Sequence, residues 1–149
     1  MDKITIIEYL SLYLDKKYTN ITNMANFVAI IKEMIEGLNW VGFYLLNENE
    51  LYLGPFQGKA AVQTIPLGEG VCGIAAKKEE IMVIDDVHSF KEHIACDEAS
   101  NSEVVLPLIK DNKLIGVLDV DSPRENFFNK SLVKQLESAV NYYLTIHNL

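Results

Sequence analysis

The sequence predicts an α+β domain in which helices at the N- and C-termini pack on one face of a central antiparallel sheet. Apolar residues recur at the helical period near both ends of the chain. Between them, two stretches read strand, polar turn, strand. No repeat, low-complexity stretch or linker breaks the 149 residues. A single domain over 1–149 is therefore expected, large enough to bury a core without disulfide staples.

Ile7, Leu10 and Leu14 mark the stripe of a first helix. Met24, Phe27, Val28, Ile31, Ile35 and Leu38 mark the cleaner stripe of a second, with Asn20 or Thr22 as its expected cap. From Trp40 the chain turns aromatic and β-branched. WVGFYLL, the turn NENE and LYLGPF make a hairpin, and a short strand is expected near 63–65. In PLGEGVCGIAAKKEE, glycines give way to an alanine-containing segment that suits a short helix. IMVID is a strand, and a long polar loop follows it. EVVLPLIK, the turn DNK and LIGVLDVD form a second hairpin. Beyond Asn129, the residues Leu132, Leu136, Val140 and Tyr143 share one helical face.

A net charge of −8 with no basic patch excludes a nucleic-acid surface. No apolar run approaches the ~20 residues of a membrane span. The opening MDKITIIEYL lacks the basic start and small-residue cleavage site of a secretory signal. A soluble, cytoplasmic protein is expected. Two cysteines far apart in a reducing compartment are not a disulfide framework. They are buried filler, metal ligands or a redox pair.

Three features carry chemistry. Cys96 lies with His88 and His93 in the polar loop VHSFKEHIACDEASNSE, among groups that titrate or hydrogen-bond. Long loops in compact domains are often binding or catalytic loops. Asp97 and Glu98 would raise its thiol pKa, while a protonated His93 or backbone N–H groups would lower it. Cys72, between Gly70 and Gly73, is either a small buried residue at a helix start or a thiol that the helix start turns toward a ligand. His88, His93, Cys96 and Cys72 are chemically suited to zinc, but their spacing is not that of structural zinc motifs.

The third feature is GVLDVDS. Strand alternation puts Asp119 and Asp121 on one face, opposite Leu118 and Val120. That face meets either solvent, where two acids mean little, or a pocket, where they hold an ammonium group or supply a proton. Trp40 and Tyr44 share one face of their own strand, as core packing or as the wall of a pocket.

GPFQGK (54–59), GVCG (70–73), DVHSFKEHIACDEASNSE (86–103) and GVLDVDSP (116–123) together closely resemble the free methionine-R-sulfoxide reductases, single-domain enzymes of the GAF fold. The likeness runs over nearly the whole chain. It implies reduction of the R epimer of free methionine sulfoxide rather than of the residue within proteins. Cys96 then matches the family's nucleophile and Cys72 its resolving cysteine. Trp40 and Tyr44 match aromatic residues lining the substrate pocket. Glu103, Asp119 and Asp121 match the carboxylates that bind substrate and assist protonation. No metal or organic cofactor is implied. A thioredoxin-like reductant is, and the resemblance allows a homodimer. Many members carry a third cysteine where this chain has Val62, so a relay through that thiol is absent. The competing class is a GAF domain that binds a small molecule without chemistry, because fold alone never proves an activity.

Overall fold

The computed structural model describes residues 3–90 and 99–149. Four α-helices are present among them: α1 (Ile6–Tyr13), α2 (Asn20–Met34), α3 (Gly70–Lys78) and α4 (Lys130–Ile146). The strands are β1 (Trp40–Asn47), β2 (Glu50–Gln57), β3 (Thr64–Pro66), β4 (Met82–Ile84), β5 (Ser102–Lys110) and β6 (Lys113–Ser122). They form one sheet in the order β3-β2-β1-β6-β5-β4, with every neighbouring pair antiparallel. Both expected hairpins and the short strand after the first are present. No helix among the described residues is long and apolar enough to cross a membrane.

Local chemistry accounts for the boundaries. Thr19, not Asn20 or Thr22, caps α2: its side chain accepts the Thr22 N–H, and Asn20 is already helical. A threonine hydroxyl one residue earlier satisfies an N–H that the first turn leaves open. Asn129 caps α4 in the same way through the Leu132 N–H. At the far end of α4, Lys110 Nζ donates to the carbonyl oxygens of Leu144 and His147, placing a cation where the helix dipole is negative. Asp111 and Asn112 both adopt left-handed φ angles, +52° and +61°, which suits the two-residue turn joining β5 to β6. Pro55 and Pro107 lie beyond the stretches that β3 and β4 cover, so their missing N–H groups interrupt neither ladder.

The sheet has a core on each face. Helices α1, α2 and α4 cover one face, where Phe27, Ile31, Leu136 and Tyr143 meet Val41, Phe43, Leu118 and Val120. Phe27, Phe43 and Tyr143 pack ring against ring, with centroids 5.3–5.8 Å apart. The terminal helices thus share one face, as expected. Ile7 departs from its stripe: it is exposed, whereas Leu10 and Leu14 are buried. The short helix α3 covers the opposite face, against Trp40, Tyr44, Val105 and Val117.

Phe27 is fully buried at the meeting point of α2, β1 and α4. Truncating it removes a ring that its neighbours cannot replace. Phe27→Ala should lower the free energy of unfolding by about 3–5 kcal/mol, read from the midpoint of a urea titration.

Candidate active site

The α3 side of the sheet is built by strand alternation. Even-numbered residues of β1 (Trp40, Gly42, Tyr44) and odd-numbered residues of β5 and β6 (Glu103, Val105, Val117, Asp119, Asp121) share that face. Asp121 stands directly across from Trp40 on one side and Glu103 on the other. Asp119 stands between Gly42 and Val105. The face does not meet solvent: Glu103, Asp119 and Asp121 are 4%, 1% and 3% exposed.

Cys72 completes the cluster. It lies in the first turn of α3, 5% exposed, and its thiol and carboxylate oxygens of Glu103 and Asp119 all lie within 4.8 Å of one another. The helix docks closely enough for this because residue 73 is glycine. A Cβ there would stand 2.5 Å from the Pro66 carbonyl oxygen at the end of β3. Cys72 is thus a small buried residue at a helix start whose thiol lies beside two carboxyls.

Burial pushes the Asp119 carboxyl above its ordinary pKa, while hydrogen bonds to Glu103 and Cys72 pull it partly back. The Asp119–Glu103 contact carries a chemical implication. Two ionised carboxylates are both acceptors, so a hydrogen bond between them needs one shared proton. Asp119 Oδ1 has no hydrogen-bond partner among the described residues. The cluster thus sets a carboxyl held above its ordinary pKa beside a second carboxyl and a thiol, in a site where unpaired charge is costly.

An aromatic wall adjoins the acids. Trp40 stacks on Phe56 at 5.4 Å and lies nearly parallel to Tyr44 at 6.0 Å. Gly42 makes room for the indole, because a Cβ there would lie 2.5 Å from both Trp40 Cη2 and Phe56 Cβ. The indole N–H donates to the Lys59 carbonyl oxygen and the Tyr44 hydroxyl to that of Val62, each at 2.9 Å. Both rings are therefore held by the backbone of the segment after β2. Phe56 and Gly42 were not singled out from the sequence, although Phe56 sits inside the quoted GPFQGK. Only the pairing of Gly42 with Phe56 reveals their part.

Cys96 and His93 lie outside the described residues. The chain on either side of 91–98 is held firmly. The Val87 N–H donates to the Asn101 carbonyl oxygen, and His88 Nε2 meets Asn101 Oδ1 at 2.9 Å. Asn101 donates in turn to the carbonyl oxygens of Ser122 and Pro123, and Asn39 Nδ2 donates to Ser100 Oγ. His88, a member of the zinc set considered from sequence, thus bonds to Asn101. Among the described residues, the donors grouped closely enough to hold a metal ion are Cys72, Glu103 and Asp119.

A GAF domain family model matches residues 25–144. Free methionine-R-sulfoxide reductase of Escherichia coli (strain K12) is 48% identical over 127 residues, 80% of this chain and 77% of that protein. Among solved structures, fRMsr of Staphylococcus aureus in complex with substrate is similar with a TM-score of 0.88 at 43% identity. The match covers 96% of this chain and 93% of that one. Free methionine-R-sulfoxide reductase from Neisseria meningitidis, in complex with its substrate, gives a TM-score of 0.88 at 38% identity over 95% and 85% of the two chains.

The buried acid predicts a pH-dependent stability. A carboxyl whose pKa is raised on folding binds more protons folded than unfolded, so stability falls as pH rises from its unfolded value through its folded one. Asp119→Asn keeps the shape and removes that titration. Its melting temperature should exceed the parent's at pH 8, with a smaller advantage at pH 5, by calorimetry at both values. An advantage that does not grow with pH would show that Asp119 carries no burial penalty.

Proposed function

Because the chain belongs to the free methionine-R-sulfoxide reductase family, built on the GAF domain, we propose that it reduces the R epimer of free methionine sulfoxide to methionine. The observation that carries this reading is the buried cluster of Cys72, Glu103 and Asp119, which joins a thiol to a carboxyl pair sharing a proton. A single domain over 1–149 is part of the proposal, since α1 and α4 pack into one core.

The sulfoxide sulfur is electrophilic, but its oxygen leaves poorly unless it is protonated. Cys96 attacks the sulfur as the nucleophile. Asp119, held above its ordinary pKa by burial and bonded to Glu103 through a shared proton, delivers that proton to the oxygen as general acid. Methionine departs and Cys96 is left as a sulfenic acid. Cys72 condenses with it to a disulfide, and a thioredoxin-like dithiol restores both thiols. Cys96 is three residues from Ala99, a reach of at most about 11 Å, and Glu103 is the second residue of the strand that follows, β5.

The same cluster accounts for a free amino acid as substrate. An α-ammonium group needs a carboxylate partner, and Asp121 and Glu103 face each other across β5 and β6 beside Trp40. A methionine sulfoxide within a peptide has no such cation and would leave a buried acid without its partner, a strong source of discrimination. Trp40 and Tyr44 supply the apolar wall for the thioether chain.

The direct test offers the purified protein both sulfoxide epimers, free and within a peptide, with thioredoxin, its reductase and NADPH. Consumption of NADPH with the free R epimer alone is expected. Absence of turnover on it would leave a ligand-binding GAF domain as the better reading.

The two thiols separate in a single turnover. With enzyme in excess, Cys96→Ser should yield no methionine. Cys72→Ser should still yield about one methionine per site, then lose thioredoxin-supported turnover. A full equivalent of product from Cys96→Ser would remove Cys96 as the nucleophile.

A further inference from the structure

The thiol of Cys72 lies within 4.8 Å of carboxylate oxygens of Asp119 and Glu103, and its hydrogen bond to Asp119 lowers the pKa of that carboxyl. That contact has no part in the attack of Cys96 on the sulfoxide, which makes it informative about the step that follows. To close the disulfide, Cys72 must lose its proton inside a site where the residue is only 5% exposed. A thiol in bulk water ionises near pH 8.5, and at neutral pH only a few per cent is thiolate. Water has poor access to this one, so the proton needs an acceptor within the protein.

Among the described residues, the titratable groups facing Cys72 on that side of the sheet are Glu103 of β5, Asp119 and Asp121 of β6, and Tyr44 of β1. Tyr44 is committed as a donor to the Val62 carbonyl oxygen. Asp119 is the carboxylate whose hydrogen bond to the thiol is defined. Its state changes at the right moment. Before reduction, the Asp119–Glu103 pair holds one proton. Once that proton has gone to the sulfoxide oxygen, both carboxylates are ionised, and the pair is at its most basic when the Cys72 proton has to leave.

Building on the reductase reading, we infer that Asp119 serves twice, first as the acid for the sulfoxide oxygen and then as the base that ionises the resolving thiol of Cys72. In the second step the Cys72 S–H bond breaks and its proton moves to Asp119. The thiolate electron pair forms the S–S bond with Cys96 Sγ as the Cys96 S–O bond breaks. The departing hydroxide takes the proton from Asp119 and leaves as water. The Cys72 sulfur is oxidised by one unit and the sulfenic sulfur is reduced by one, so no outside oxidant or reductant is needed. The proton donated to the sulfoxide oxygen is restored from solvent when the disulfide is reduced.

The test bypasses methionine sulfoxide. One equivalent of hydrogen peroxide converts Cys96 to its sulfenic acid, and the Cys72–Cys96 disulfide is then followed by acid quench and mass spectrometry. In the parent, the rate should climb with pH through the carboxyl range and level off below pH 8, where a thiol ionised by bulk water would still gain tenfold per unit. Asp119→Asn should slow disulfide formation at least tenfold, let dimedone trap the sulfenic acid, and regain speed with each unit of pH. Asp119→Glu should restore most of the rate, which guards against a merely structural effect. A parent rate that rises tenfold per unit through pH 8, or an Asp119→Asn rate equal to the parent's, overturns the base role alone. Failure of the parent to form the disulfide overturns both this role and the resolving role of Cys72.

Discussion

The register of β6 between β1 and β5 is the constraint on which both faces of the sheet depend. Leu118 and Val120 enter the helix-covered core, and Asp119 and Asp121 enter the face under α3. A slip by one residue would exchange the sets, because side chains alternate with a period of two. Two carboxyls would then press into the apolar cluster around Phe27, Phe43 and Leu136, at a cost of ~2–7 kcal/mol for each group left unpartnered. The two-residue turn at Asp111 and Asn112, together with the one-residue shift between Leu108 and Ile109, sets the offset on one side, and pairing with β1 from Trp40 to Leu45 sets it on the other. The register thus protects the fold and places the acids by one mechanism.

The two faces divide stability from chemistry. The helix-side core is apolar and rich in ring contacts, the pattern expected where burial supplies the driving force. The opposite face places Glu103 directly across from Asp121 and buries Asp119 beside them, a pairing that opposes folding at neutral pH. Proton sharing and the Cys72 thiol soften that penalty without removing it. A domain tolerates such a patch only when the rest of its core offsets the cost, and the aromatic cluster at Phe27 is placed to do so.

Much of this was legible because the informative periods are short. The three terminal helices, both hairpins and the opposition of Asp119 to Leu118 follow from spacings of two to four residues. What alternation could not supply is which side of β6 is covered. GVLDVDS reads alike on an exposed strand and over a buried pocket, and only the docking of α3 decides between them. Gly42 escaped notice because its part is to be small beside Trp40 and Phe56, and nothing local records that. The displaced cap of α2 is a different kind of miss, since Thr19, Asn20 and Thr22 are all able cappers and tertiary packing selects among them. The family resemblance, carried by long motifs, linked Cys72 to the acids when spacing could not.

The two cysteines, 24 apart in sequence, belong to differently supported parts of the chain. Cys72 belongs to a helix seated on the sheet, with its thiol already among the carboxyls. The residues that follow the stretch 91–98 in sequence are tied to the end of β6 and the chain just beyond it: Asn101 bonds to Ser122 and Pro123, and Ser102 Oγ bonds to the Arg124 carbonyl oxygen. Those residues follow directly on Asp121. The polar loop is therefore fastened where the acid-bearing strand ends, and the bond from His88 to Asn101 ties its leading side to the same point. Histidine, asparagine and serine in that loop have a structural use before any catalytic one. They fix the residues flanking 91–98 beside the end of the strand that carries the buried carboxyls.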